Sequence, residues 1–116
     1  MAGRRLGPVE AVARDIVSAG AAAEAAEVDA LDEQAVDAHL QSVIDQAGRV
    51  DISFNAVGVP NAGIIGVPLA ELNAGQFSLA ITAYATSYFL TARLAARRMI
   101  PEQIGGDHDG QRAARA

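Results

Sequence analysis

Apolar residues recur at spacings of three and four along most of this chain, and one short run breaks that rhythm. Val9, Val12, Ala13, Ile16 and Val17 form a helical stripe over Val9 to Ala19, with Gly20 suited to close it. Val36, Leu40, Val43, Ile44 and Ala47 form a second stripe, with Asp37, Gln41 and Asp45 on the other face. Asp32 is placed to cap that helix, Glu33 favours its first turn, and Gly48 ends it. A third run goes from Phe77 through Ile81, Tyr84, Tyr88 and Phe89 to Met99. Asn73 and Gln76 make a capping-box pattern before it, and Pro101 ends it. Residues 74–99 would give a helix about 39 Å long. Leu79, Leu90 and Leu94 broaden its apolar surface, so it wants more than one neighbour.

The exception is Arg49 to Gly58, where Val50, Ile52 and Phe54 sit between Gly48 and the breakers Gly58 and Pro60. Such a run predicts a buried strand. Ala25 to Ala30 is read as a second strand, because the Gly20 break and the next helix start leave room for one. Helix, strand, loop and helix in alternation is the order of an open parallel sheet with crossover helices. In such sheets ligands lie beyond the carboxyl ends of the strands, here Asn55 to Gly58. Residues 1–8, with Gly3, Gly7 and Pro8, read as an irregular, poorly ordered start, and 102–116 as a disordered tail around a domain at 9–101. Val59 to Leu72, rich in Gly, Pro and Asn, is a long connection of the kind that often carries function.

Composition narrows the chemistry. Nine arginines stand against 14 acidic residues, a net charge of −5, which argues against nucleic acid or an anionic membrane as partner. Much of the apolar content is alanine, so a thin core is expected. There is no cysteine, hence no disulfide and no thiolate chemistry. No apolar stretch reaches the roughly 18 residues of a membrane span. Met1 to Pro8 carries Arg4 and Arg5 but is followed by no apolar signal core, so the cytoplasm is the expected location. His39 and His108 are too far apart to suggest a metal site, and Asp107-His108-Asp109 reads as a charged turn. Ser18, Ser42, Ser53, Ser78 and Ser87 lack the Gly-x-Ser-x-Gly context of a hydrolase elbow. The chain has no lysine, which excludes any mechanism that needs one.

Four motifs in order resemble the short-chain dehydrogenase/reductase family. Val28-Asp29-Ala30-Leu31-Asp32 resembles its Asp-bearing strand end, and Ala47-Gly48-Arg49-Val50-Asp51-Ile52 its Gly-x-x-Asp approach to the next strand. Asn55-Ala56-Val57-Gly58 resembles its Asn-Asn-Ala-Gly motif, and Tyr88-Phe89-Leu90-Thr91-Ala92-Arg93 with Met99 its long interface helix. The resemblance runs from about Val9 to Ile100, the middle of such a protein. It implies a partial Rossmann-like, doubly wound α/β sheet of two strands and three helices. It also implies NAD or NADP as cofactor and NAD(P)-dependent alcohol oxidation or carbonyl reduction as the family activity.

By this resemblance Asp29 would accept from the adenine amino group, Ala30 would donate its backbone N–H, and Asn55, Ala56, Val57 and Gly58 would floor the adenosine ribose. Three family features are missing. The Gly-rich pyrophosphate turn would lie upstream, and Gly3 to Gly7 is no substitute because no strand precedes it. The residue that selects NAD or NADP would belong to an absent second strand. The Tyr-x-x-x-Lys pair cannot exist without lysine. Tyr84 falls where the family has a catalytic-network Asn, although a core or interface tyrosine is the plainer reading.

Two functions are therefore expected to compete. One is a truncated dehydrogenase-like chain, inactive alone. The other is a non-catalytic interaction protein that pairs through helix 74–99 with a copy of itself or a full-length relative. For the sheet, one expected solution is that Ala25–Ala30 pairs directly with Val50–Asn55 across the Asp32–Ala47 helix.

Overall fold

The computed structural model describes residues 1–59 and 63–100. In chain order these form β1 (Ala2–Gly3), α1 (Leu6–Ser18), β2 (Ala26–Glu27), α2 (Glu33–Ala47), a 3-10 turn (Leu69–Glu71) and α3 (Ala74–Met99). Two parallel strands with three helices make a partial Rossmann-like α/β fold, as the alternation predicts.

The helix ends follow from their capping residues. Gly20 takes a left-handed φ of 96° after α1, and the N–H groups of Gly20 and Ala21 donate to the carbonyls of Val17 and Ile16, which closes a Schellman turn. Asp32 accepts from the Ala35 N–H at 3.1 Å, and Gly48 at φ 85° ends α2. The Asn73 and Gln76 side chains accept reciprocally from each other's backbone N–H at 2.8 and 3.0 Å, so the capping box is complete. Gln76 also donates to the Gly63 carbonyl, which pins the preceding loop to α3. Pro101, the expected terminator, lies outside the described residues, as do Pro60, the 102–116 tail and the Asp107–Asp109 turn.

The strands differ from expectation in three ways. Ala2–Gly3 is a strand where an irregular start was expected, and α1 begins at Leu6 rather than Val9. Pro8 does not break that helix because it stands in the first turn, whose N–H groups have no intrahelical acceptor. Second, β2 pairs with β1, Ala2 opposite Ala26 and Gly3 opposite Glu27, not with residues 50–55. Third, Val50–Asn55 is in no ladder, and Ile52 and Phe54 are 85% and 87% exposed instead of buried. The local pattern of that run is strand-like, but a strand needs a neighbour, and none of the described residues supplies one.

Gly3 is required by packing. A Cβ there would stand 2.5 Å from Val9 Cγ2, so its absence lets α1 lie close on β1.

The core is thin and lies mainly between α2 and α3. Val36, Ala83, Leu90, Leu94 and Ala95 are buried there, with Ser87 fully enclosed, while Ala13 is the buried residue of α1. Two ion pairs clamp the helices together, Arg93 with Glu33 and Arg98 with Asp37 at 2.8 Å. Arg98 also donates to the Leu94 and Asp37 carbonyls. The half-exposed Asp37 thus reaches α3.

The elements pack in two groups, α1 with β1 and β2, and α2 with α3. The molecule is a slab of 57 × 44 × 20 Å with a radius of gyration of 18.3 Å, against about 13 Å for a compact chain of this length. No described helix is long and apolar enough to cross a membrane.

Candidate dinucleotide site

Parallel strands joined by helices present all their carboxyl ends on one edge. Two short segments leave the carboxyl edge of the β1–β2 sheet here, and a third follows the unpaired run at 50–55. Arg4 and Arg5 follow β1, Val28 to Ala30 follow β2, and Asn55 to Gly58 follow the run that begins at Val50.

Asp29 sits in a turn into α2. Its Oδ1 accepts from the Leu31 N–H at 2.9 Å, and its carbonyl accepts from the Asp32 N–H at 3.0 Å. This Asx-turn aims an exposed carboxylate from the strand end and leaves Oδ2 without a hydrogen-bond partner among the described residues. The half-buried Ala30 likewise has no partner for its N–H among them.

Asn55 ties its segment down from both ends of its amide. Oδ1 accepts from the Val57 N–H at 2.9 Å, and Nδ2 donates to Thr91 Oγ1 at 3.0 Å. The Thr91 hydroxyl in turn donates a hydrogen bond to the Ser87 carbonyl at 2.8 Å, so the chain Asn55, Thr91, Ser87 has a single direction. It fastens Ala56 and Val57 to α3 across 36 residues of sequence. A cleft of about 400 Å³ beside it is lined by Ser53, Asn55, Tyr88 and Thr91. Gly58 is not in the left-handed region, and an added Cβ would meet nothing within 4 Å among the described residues. Its lack of a side chain serves neither the backbone nor the packing of this chain.

Tyr84 stands apart from this group. It is half-buried on α3, accepts from Ser87 Oγ through its carbonyl, and stacks obliquely with Tyr88 at 6.0 Å. It does not line the cleft beside Asn55. A larger hollow of about 670 Å³, lined by Glu10, Arg14, Val17 and Glu24, lies where α1 ends and β2 begins, at the opposite edge. Among the described residues no group of His, Asp and Glu could hold a metal ion. His39 is on α2, where burial first and the Met1 ammonium second hold its pKa below 6.5.

Arg4 and Arg5 follow β1, a strand that the sequence did not lead one to expect. A strand of two residues leaves no periodicity to detect. The available signal was indirect: a helix followed by a strand in a parallel sheet calls for a strand before the helix, and only Met1 to Arg5 could provide it.

Comparison with known proteins bears on the fold and the family. The model of the short chain dehydrogenase family matches residues 1–107. A protein from Burkholderia xenovorans assigned as a short-chain dehydrogenase/reductase superposes with a TM-score of 0.74 at 23% identity, covering 84% of this chain and 37% of its own. A metagenomic short-chain oxidoreductase solved in complex with NADP gives 0.70 at 29% identity over 83% of this chain and 42% of that one. A dehydrogenase/reductase from Sinorhizobium meliloti gives 0.67 at 26% identity over 78% and 34%. A search of curated proteins found no match. The chain therefore spans about two-fifths of the structures it resembles, and within that span it belongs to the short-chain dehydrogenase family.

Proposed function

We propose that residues 1–59 form the adenosine side of a dinucleotide site in an NAD(P)-dependent oxidoreductase, and that this site prefers NADP. What supports the reading is the chemistry of three segments, one cationic after β1, one acidic after β2 and one small after the run at 50–55. Arg4 and Arg5 are absent from the ion pairs among the described residues. Two guanidinium groups beyond a strand end suit the phosphate ester on the adenosine ribose of NADP. Asp29 Oδ2 is available to accept from the adenine amino group, and the Ala30 N–H to donate to the ring. Gly58 leaves room for the ribose, on a loop held by Asn55. The similar metagenomic oxidoreductase was solved with NADP.

The bound nicotinamide would supply or accept the hydride of alcohol oxidation or carbonyl reduction. Residues 1–116 contain no lysine to acidify a tyrosine hydroxyl, so we infer that this chain alone binds without catalysing. A reducing, cytoplasmic setting fits a chain without cysteine. The competing reading, an interaction protein pairing through α3 with a copy or a longer relative, draws on the exposed Phe77, Ile81 and Phe89. It requires association without nucleotide binding.

Titration with NADP+ and NAD+ followed by ligand-observed NMR tests the proposal. NADP+ should bind, and binding should be lost in Asp29→Ala. The Arg4→Ala, Arg5→Ala double variant should lose roughly tenfold or more in affinity for NADP+, the scale of a charge-assisted hydrogen bond, while NAD+ is unaffected. A folded chain that binds neither nucleotide would leave only the shared fold.

A further inference from the structure

We propose that Arg93 of α3 is a positioning residue for the adenosine side of the site: through Glu33 it holds the Asp29 turn in place against the Asn55 loop. This role presupposes the dinucleotide site at residues 1–59 and names the element that joins its two walls.

The first wall is a turn bound to the start of α2. Leu31 and Asp32 donate their N–H groups to Oδ1 and to the carbonyl of Asp29, and Asp32 in turn caps α2 by accepting from the Ala35 N–H. Whatever moves the first turn of α2 therefore moves the Asp29 carboxylate. The second wall is the loop that Asn55 folds back through the Val57 N–H at 2.9 Å and ties to Thr91 at 3.0 Å. Among the described residues no hydrogen bond or ion pair joins residues 28–32 to residues 53–58 directly.

The long helix joins them. Residues two apart are about 200° apart around a helix, so Thr91 meets the Asn55 loop on one side of α3 while Arg93 meets α2 on another. Arg93 Nη2 contacts Glu33 Oε1, and Glu33 is the first residue of α2, directly after its cap. The anchors of both walls thus sit two residues apart on one helix. The guanidinium is also held from its own side: it lies over the ring of Phe89, one turn back, 4.9 Å from the centroid.

Stability is a poor account of this arginine. Its Nε is buried with no hydrogen-bond partner among the described residues, which offsets part of what the ion pair contributes. The second pair, Arg98 with Asp37, is the stronger link between the helices. The Arg98 side chain is 15% exposed against 32% for Arg93, and it donates to the Leu94 and Asp37 carbonyls as well. Asp37 lies one turn further along α2, away from the Asp29 turn. Arg98 packs the helices, and Arg93 sets where α2 begins.

Glu33→Gln and Asp37→Asn each remove one carboxylate charge at nearly constant shape, and the two roles order them differently. A purely structural role makes Asp37→Asn the more harmful in every measurement. The positioning role makes Glu33→Gln the more harmful to adenine recognition. Dissociation constants are measured by ligand-observed NMR for NADP+ and for its hypoxanthine analogue, which lacks the adenine amino group. The parent chain should prefer NADP+. Glu33→Gln should reduce that preference by roughly tenfold, the scale of a charge-assisted hydrogen bond, and should speed amide exchange at Leu31 and Asp32. Asp37→Asn should speed exchange at the centre of α3 more than Glu33→Gln does, yet keep the preference. Arg93→Lys should keep it too, because one nitrogen makes the contact with Glu33 and an ammonium can replace it. The positioning role alone is overturned if the parent prefers NADP+ and that preference survives Glu33→Gln, falls equally in Asp37→Asn, or is lost in Arg93→Lys. A parent chain that binds neither nucleotide, or both alike, overturns the reading of Asp29 and the role of Arg93 with it.

Discussion

Gly58 tests the proposed site cleanly, because nothing in the described fold requires a glycine there. Gly20, Gly48 and Gly66 hold left-handed backbone, and Gly3 yields to Val9, but Gly58 has neither demand on it. Gly58→Val should therefore leave stability within about 0.5 kcal/mol of the parent, as surface changes usually do. It should weaken nucleotide binding by roughly tenfold or more through steric overlap, as measured by the same NMR titration. His39 contributes a pH dependence of its own. Its folded pKa lies below 6.5, so the unfolded chain binds more protons as the medium acidifies. The stability this residue contributes is complete above that value and falls as pH drops through the folded pKa. Denaturant titrations from about pH 7.5 to about pH 5.5 should show this loss, and His39→Gln should flatten it. Asn55 and Asp29 could be singled out as candidates because each is a polar residue at the end of a strand-like run. Arg4 and Arg5 were not, since what makes them interesting is the two-residue strand before them.

The helices were legible because each one states its own limits. Gly20, Asp32, Gly48 and the Asn73–Gln76 pair act through bonds within four residues, so local sequence determines them. Removing one arm of the capping box in Asn73→Ala should cost about 1 kcal/mol. Amide exchange in the first turn of α3 should accelerate roughly fivefold in consequence, with its centre unchanged. Strands carry no such autonomy. Val50–Asn55 has the β-formers and the flanking glycines, yet its partner is a matter of the rest of the fold, and the same residues stand exposed. The ion pairs between α2 and α3 were likewise unreadable: Asp37 sits among polar neighbours in sequence and meets Arg98 only through tertiary packing across 61 residues.

At the scale of the molecule, a slab 20 Å thick with its buried residues mostly between two helices has little to unfold together. Thermal melting of the dilute chain followed by far-UV circular dichroism should be broad, and a sharp two-state transition would contradict the two-group packing. The alternation of elements was enough to read the fold class, but not which strands pair, because pairing depends on residues far apart in sequence. The unladdered stretch has one more consequence, for the chain left on its own. Residues 52–57, Ile-Ser-Phe-Asn-Ala-Val, are uncharged, free of proline and rich in β-formers, with a row of backbone groups open to any identical chain. Such hexapeptides stack in register into cross-β fibrils with a repeat of about 4.7 Å. Concentrated stocks of this protein should convert slowly into thioflavin-positive fibrils, and an Asp in place of Phe54 should keep them clear.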